Sequence, residues 1–433
     1  RSSIRTSHCP SRLRTCSQLT NAVRRLPRVS PSDAVSFFMA AVVMATSALW
    51  WWLDITARAG LGPALPSVVA PALLHPVVMA LGFMPLFFCG FLFTAGPKWL
   101  QMPEVTARAI APAVLTLGLG WVMVLGGSFV HALASALGAL LAAIGWALAT
   151  WRFTGLVRRS RARDRLHASV IATACGLGVL AMLGAAAGLA TLDFRVIRLS
   201  ALLGLWWFVV PVYVTVAHRM IPFFTASALP VLDAWRPNWL LWTLLAMVGL
   251  QGLWVATDAS GVAAWHGPVW QGLHAFTACL SGALVAGLAV RWGLVQSLRI
   301  RLLAMLHIGF VWLGVALGLD ALAVVFDAAD DVSLRLLPVH ALTMGFLGSI
   351  LLAMATRVSC GHGGRTLTAD NPAWALFWTL QLATVLRLAA IVWPAAATWL
   401  LWLGATAWLL AVGGWAVRHG RWYGRPRLDG RPG

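Results

Sequence analysis

Eleven histidines are scattered through this 433-residue chain, and five of them fall inside long apolar runs that hold almost no other ionisable group. Neutral imidazole is the commonest side-chain ligand for transition metals and a frequent axial ligand of haem iron. His75 lies seven residues into the run 68–95, His274 nine into 265–290 and His340 six into 334–356, all counted from the same side. At helical rise that places all three at roughly 9–14 Å depth. Three imidazoles at one depth on different elements could converge on a single metal ion or haem. The simpler alternative is that each is satisfied separately by a neighbouring carbonyl or hydroxyl. Nearer the other side, His307 lies seven residues into 300–326 and His218 closes 196–218, so a second site is geometrically open. His218 and Arg219 together also read as an ordinary helix end, where cations meet the negative pole of the helix dipole. Asp320, late in the ninth run, suits a proton relay or a paired arginine and is expected near the outer interface. His131, His167, His266, His362 and His419 are expected at interfaces or in loops, solvated.

The elements that must position these groups follow from composition. Hydrophobic residues make up 60% of the chain and charged residues 10%, with a mean hydropathy of +0.82, which excludes an ordinary soluble domain. A hydrocarbon core about 30 Å thick needs roughly 20 apolar residues as helix. Twelve such spans are predicted: 34–53, 68–95, 109–129, 131–151, 167–191, 196–218, 237–257, 265–290, 300–326, 334–356, 372–393 and 395–417. The expected fold is therefore all-α, a polytopic bundle of about 12 transmembrane helices with no soluble domain. Residues 1–33 are expected to be a disordered cytoplasmic lead, 34–417 the membrane domain and 418–433 a basic cytoplasmic tail.

The charge of +19 looks at first like a nucleic-acid surface, but its placement argues otherwise. Twelve spans put both ends on one side, and 27 of the 32 basic residues then sort to that side, as expected for cytoplasmic loops. Arg158, Arg159, Arg161, Arg163 and Arg165 form the densest cluster, with anionic lipid as its expected neighbour. Trp50, Trp51, Trp52, Trp99, Trp235, Trp239 and Trp422 lie near span ends and read as an interfacial belt. Gly184/Gly188 and Gly314/Gly318 offer small-xxx-small contacts, a pattern common by chance in a Gly/Ala-rich chain. The six cysteines contain no C-x-x-C and no C-x-x-C-H, which argues against covalent haem and thiolate zinc. Cys89, Cys175 and Cys279 fall inside apolar runs and read as small buried hydrophobes.

Three segments carry more than composition: HPVVMALGFMPLFFCGFLFTAGPKW at 75–99, HRMIPFFT at 218–225 and HALTMGFLGSILLAMATRVSCGHGGR at 340–365. Together with LHIGFVWLG at 306–314, they resemble the NnrS family, from the second span to the tenth and in the right order. The most specific match is His340-Ala341-Leu342-Thr343 with Gly345, then Arg357, Gly361, His362, Gly363 and Arg365 in the following loop. HRMIPFFT is similar to the family's R-x-I-P-F-F-T, with Arg219, Ile221, Pro222, Phe223, Phe224 and Thr225 in place. The resemblance implies a bacterial inner-membrane protein of twelve helices that binds haem and copper and is linked to nitric oxide metabolism and nitrosative stress. It implies haem b and copper as cofactors and nitric oxide as a small ligand. His75, His274 and His340 are the metal candidates, with His307, Arg357 and Arg219 as further cofactor-binding candidates. Arg357 and Arg219 would face haem propionates if the macrocycle reached the inner side, and otherwise serve as positive anchors. The chain departs from the family's H-A-H-E-M motif, since Val77 and Val78 replace its second histidine and its glutamate. Neither valine ligates a metal or moves a proton, which places copper in doubt.

Two other functions stay open. A haem-copper oxidase or nitric oxide reductase subunit fits twelve helices with buried histidines, but the chain has neither an H-H pair nor H-x-H. A secondary transporter of a small solute fits the span count, with Pro85 and Pro211 as the best candidates for helix breaks, but the halves show no convincing repeat. The residues alone assign no reaction.

Overall fold

The computed structural model describes residues 31–260, 262, 265, 267–326 and 334–430. Residues 1–30 of the expected lead, and the loop histidine at 266, lie outside the described residues. Twelve helices are long and apolar enough to cross a membrane: α1 (Ala34–Arg58), α2 (Pro71–Trp99), α3 (Ala107–Gly127), α4 (Ala132–Arg159), α5 (Leu166–Thr191), α6 (Phe194–Ala228), α7 (Asn238–Ala259), α8 (Pro268–Arg291), α9 (Arg301–Val325), α10 (Leu336–His362), α11 (Asn371–Val392) and α12 (Pro394–Gly420). No strand occurs among the described residues. Each predicted span corresponds to one of these helices, and the protein is an all-α multi-pass membrane bundle.

The helices are not equivalent. In the most apolar stretch of α2, 83% of residues are buried inside the protein, and α10 and α6 follow with 72% and 67%, whereas the other nine lie between 33% and 56%. Thus α2, α6 and α10 form the centre, and α3, α4, α5, α8, α11 and α12 present apolar faces outward. Among the described residues, the same three central helices alone contain π turns, at Val78–Gly82, Leu205–Val209 and Ala341–Gly348. Two of these turns have a visible cause. A proline removes the N–H needed by the carbonyl four residues earlier. For Pro85 and Pro211 those carbonyls belong to Leu81 and Trp207, both inside the π turns. The expected breaks at these prolines are therefore one-residue insertions in otherwise continuous helices.

The outer pairs pack by close backbone approach. A Cβ on Gly120 would fall 2.4 Å from the Ala142 nitrogen, and one on Gly145 would fall 2.4 Å from that of Leu117, which locks α3 against α4. Both glycine pairs singled out in the sequence sit at close contacts: Gly184 and Gly188 seat α5 against Ser200 and Ile197, and the backbone at Gly314 and Gly318 of α9 meets Gly282 of α8, where a Cβ would fall 3.0 Å from the Gly314 oxygen and 3.2 Å from the Gly318 nitrogen.

Several sequence expectations are corrected. HRMIPFFT lies inside α6, which runs ten residues past the expected end, so His218 does not terminate a helix. Arg357, Gly361 and His362 belong to α10 and not to the following loop. Cys279 is exposed on α8, while Cys89 and Cys175 are buried as expected. The tryptophans do more than anchor. Trp52 donates to Thr406 at 2.9 Å, Trp402 to Thr56 at 3.2 Å, and Trp415 to Thr356 at 2.9 Å, so indole N–H groups join α1, α12 and α10.

Candidate metal centre

His75 sits at the start of α2, beside Pro76 and three residues before the first π turn; His340 immediately precedes the π turn of α10. The two helices bring these rings together, with centroids 6.4 Å apart and planes within 17° of parallel. Trp51 of α1 stacks on His75, its ring centroid 3.8 Å away and the planes 25° apart. His340 Nδ1 lies 2.8 Å from the Leu336 carbonyl oxygen. Because a carbonyl only accepts, Nδ1 carries the proton, and Nε2 keeps its lone pair. Anchoring one ring nitrogen on a backbone carbonyl is the usual way a protein orients a metal-binding imidazole. His75 Nδ1 is buried with no hydrogen-bond partner among the described residues, an arrangement that costs free energy unless something else meets it.

The electrostatic surroundings are positive. Arg387 of α11 lies within electrostatic reach of both rings, and Arg58 within reach of His75. Arg58 is neutralised by Asp54 at 2.7 Å and also lies over Trp51. Arg387 has no acidic partner among the described residues. Val77 and Val78, where the family pattern has a histidine and a glutamate, are both fully buried among apolar neighbours.

His274 does not join this pair. Its Nε2 meets Asp320 Oδ2 of α9 at 2.8 Å, Gln251 of α7 donates to the same oxygen at 3.1 Å, and Trp254 stacks on the ring at 4.8 Å. The convergence of three histidines at one depth is therefore not met. Among the described residues, no three His, Cys, Asp or Glu side chains gather as a ligand set. Asp320 is partnered by an imidazole and a carboxamide, neither relaying to Arg nor standing free. His307 is fully buried on α9, with Nε2 3.0 Å from the Thr225 hydroxyl of α6.

A second histidine pair lies toward the arginine-rich face. His167, expected to be solvated, is buried at the start of α5, with Nε2 3.1 Å from His218 Nδ1. His218 Nε2 in turn lies 3.2 Å from the Pro237 carbonyl oxygen. The carbonyl fixes the order of protons: His218 Nε2–H donates to Pro237, so His218 Nδ1 accepts from His167 Nε2–H. His419, also expected to be solvated, is buried on α12 with Nδ1 3.0 Å from the Trp415 carbonyl.

Arg219 and Arg357 are placed far from His75 and His340. Arg219 pairs with Asp164 at 3.2 Å and lies over the Trp99 ring at 4.9 Å. Trp99 is at the opposite end of α2 from His75, roughly 35 Å along the helix axis. Arg357 rests on the Phe224 ring at 4.0 Å, toward the inner end of α10. At Asp164, in the link between α4 and α5, burial alone would raise the carboxyl pKa. The Leu166 backbone N–H and the Arg219 guanidinium outweigh it and hold the pKa below the usual value.

Against this geometry stand two comparisons. No curated protein matches the chain. The family model described as NnrS protein matches residues 35–427, from the first turn of α1 to beyond α12, and the chain therefore belongs to the NnrS family.

Proposed function

We propose that this protein is a haem- or copper-holding membrane protein that handles nitric oxide, and that His75 and His340 hold its metal. The observation that carries the reading is the geometry of the pair. Two imidazoles sharing one ion would stand with centroids at most roughly 6 Å apart, and the 6.4 Å observed brings His75 and His340 close to that limit. The donor set also fits. His340 offers a lone pair on Nε2 with its other nitrogen anchored, and His75 offers a buried nitrogen that no protein group meets. The fit is to a site that could hold copper through both imidazoles or haem through one of them, leaving a position for nitric oxide.

A bound haem or copper would supply an open-shell or soft metal that coordinates a neutral diatomic such as nitric oxide. The protein's own contribution is positional. Leu336 fixes the rotation of His340, Trp51 holds His75 flat and keeps water from its outer face, and Arg387 provides an uncompensated positive charge for an anionic group beside the rings. Nitric oxide dissolves in hydrocarbon and reaches such a site through lipid without a polar channel. The placement of 27 of 32 basic residues on one side supports an inner-membrane orientation with both ends cytoplasmic.

The test is a nitric oxide titration of the purified protein followed by visible absorption and metal analysis. The reading predicts a stoichiometric metal and a spectral shift that saturates at one nitric oxide per metal. Folded, colourless and metal-free protein would overturn it and favour the transporter alternative.

A further inference from the structure

We infer that the arginine-rich end of α12 is a binding site for the phosphodiester headgroup of an anionic phospholipid, independent of the metal pair. A cavity of about 510 Å³ opens between the last turns of α12 and the segment after α10, and Arg365, Arg418, Arg421, Trp422 and Arg425 line it. Four guanidinium groups facing one space repel one another unless an anion joins them. Only Arg418 has an acidic partner among the described residues, Asp370, and that carboxylate is not part of the lining. Even so, Arg418 Nη1 remains buried without a hydrogen-bond partner among the described residues.

Two of the four cations are held in place by the indole, while Arg421 and Arg425 are exposed beside them. Arg365 lies over the Trp422 ring at 4.0 Å and Arg418 at 5.6 Å, so one indole positions two guanidinium planes. Planar guanidinium forks match phosphate oxygens bidentately, which a lysine ammonium does not.

What favours a lipid over free phosphate is the surface that continues from the cavity. Gly413 and Gly414 leave its membrane-side wall without bulky side chains. Beyond them Leu403, Leu410 and Val417 are exposed at 44%, 60% and 56%. Their seven-residue spacing places them in one stripe along α12. An acyl chain lying on this stripe brings its phosphate to the arginines. A zwitterionic headgroup would also carry an ammonium into the same cationic space, so the site selects net negative charge. Basic pockets at the ends of membrane helices hold anionic headgroups by the same physics.

Native mass spectrometry of the full-length protein in detergent, with phosphatidylglycerol, phosphatidylethanolamine or inorganic phosphate added, tests the inference. The expected result is one retained phosphatidylglycerol per chain, little phosphatidylethanolamine, and no displacement by millimolar phosphate. With each arginine near a membrane surface contributing about a five-fold factor, the Arg421→Gln/Arg425→Gln double variant should weaken retention roughly 30-fold. These two side chains have no ion pair to lose among the described residues, and unchanged elution and helical signal check folding. Arg195→Gln/Arg198→Gln, exposed in the first turns of α6 and away from the cavity, serves as the charge-matched control and should retain the lipid. Equal retention of both lipids, full displacement by phosphate, or loss of lipid in the control to the same degree as in the double variant would each overturn the inference.

Discussion

The protein contains two histidine pairs, and they differ in whether the ring nitrogens already have hydrogen-bond partners. In the inner pair, His167 and His218 point a donor at an acceptor across 3.1 Å, and the chain of hydrogen bonds ends on the Pro237 carbonyl. The facing nitrogens are used by each other, and an ion between them would have to break that bond. In the outer pair, His75 and His340 stand farther apart, 6.4 Å against 5.3 Å between centroids. There the backbone anchors one ring, an indole supports the other, and a buried nitrogen is left unmet. Proximity of histidines is thus a poor guide to metal binding, and the account of where each N–H goes is a better one.

The largest expected effect follows from this contrast. His75→Ala and His340→Ala should each abolish cofactor absorbance and metal content, while His167→Ala and His218→Ala should leave the metal stoichiometry of the purified protein at the wild-type value. Loss of metal from the inner variants alone would reverse the assignment of the two pairs.

The next effect contrasts the π turns of α2 and α10. A Cβ at Gly345 would fall 2.5 Å from the Trp312 ring, whereas one at Gly82 meets nothing nearer than 3.8 Å. Trp312 donates to Gln381, which donates to Ser349, so its displacement also disturbs a buried polar chain. Gly345→Ala should destabilise by about 1–3 kcal/mol, and Gly82→Ala should be close to neutral. Thermal unfolding in detergent reads both, and equal melting points would show that α10 yields where the packing implies it cannot.

A smaller change is expected at the inner pair. His218→Phe removes the acceptor of His167 and should cost about 1–3 kcal/mol through the unmet buried donor, measured by the same melts.

The smallest effect is at Asp164. Its folded-state pKa is lowered, so its stabilising contribution is fully present above the unfolded carboxylate value and is lost as pH falls through the folded one. With the carboxylate 59% exposed, solvent screening keeps that contribution under about 1 kcal/mol. Asp164→Asn should lower neutral-pH stability by no more than that amount, leave stability in acid unchanged, and so slightly flatten the acid side of the profile.

The twelve spans were legible because a helix without charge for twenty residues has few other solutions, and the order of apolar runs fixed their number. The end of α6 was not, because His218 and Arg219 read as a helix end, although the helix continues ten residues past His218 and through Pro222. The π turns and the central trio α2, α6 and α10 were illegible, since hydropathy reports apolarity and not which neighbours cover it. At the site, depth alone put His75, His274 and His340 together. Depth is one coordinate of three, and the rotation of α8 turns His274 toward Asp320 and Gln251 instead. One signal was available and unused: His167 and His218 both sat at the arginine-rich ends of adjacent spans.

The outer pair's role is tested most directly by X-ray absorption at the edge of the metal that co-purifies, compared between wild type, His340→Cys and His218→Cys. The account predicts imidazole scattering in wild type, a sulfur neighbour at about 2.3 Å in His340→Cys, and an unchanged spectrum in His218→Cys. A sulfur neighbour in His218→Cys with none in His340→Cys would contradict it.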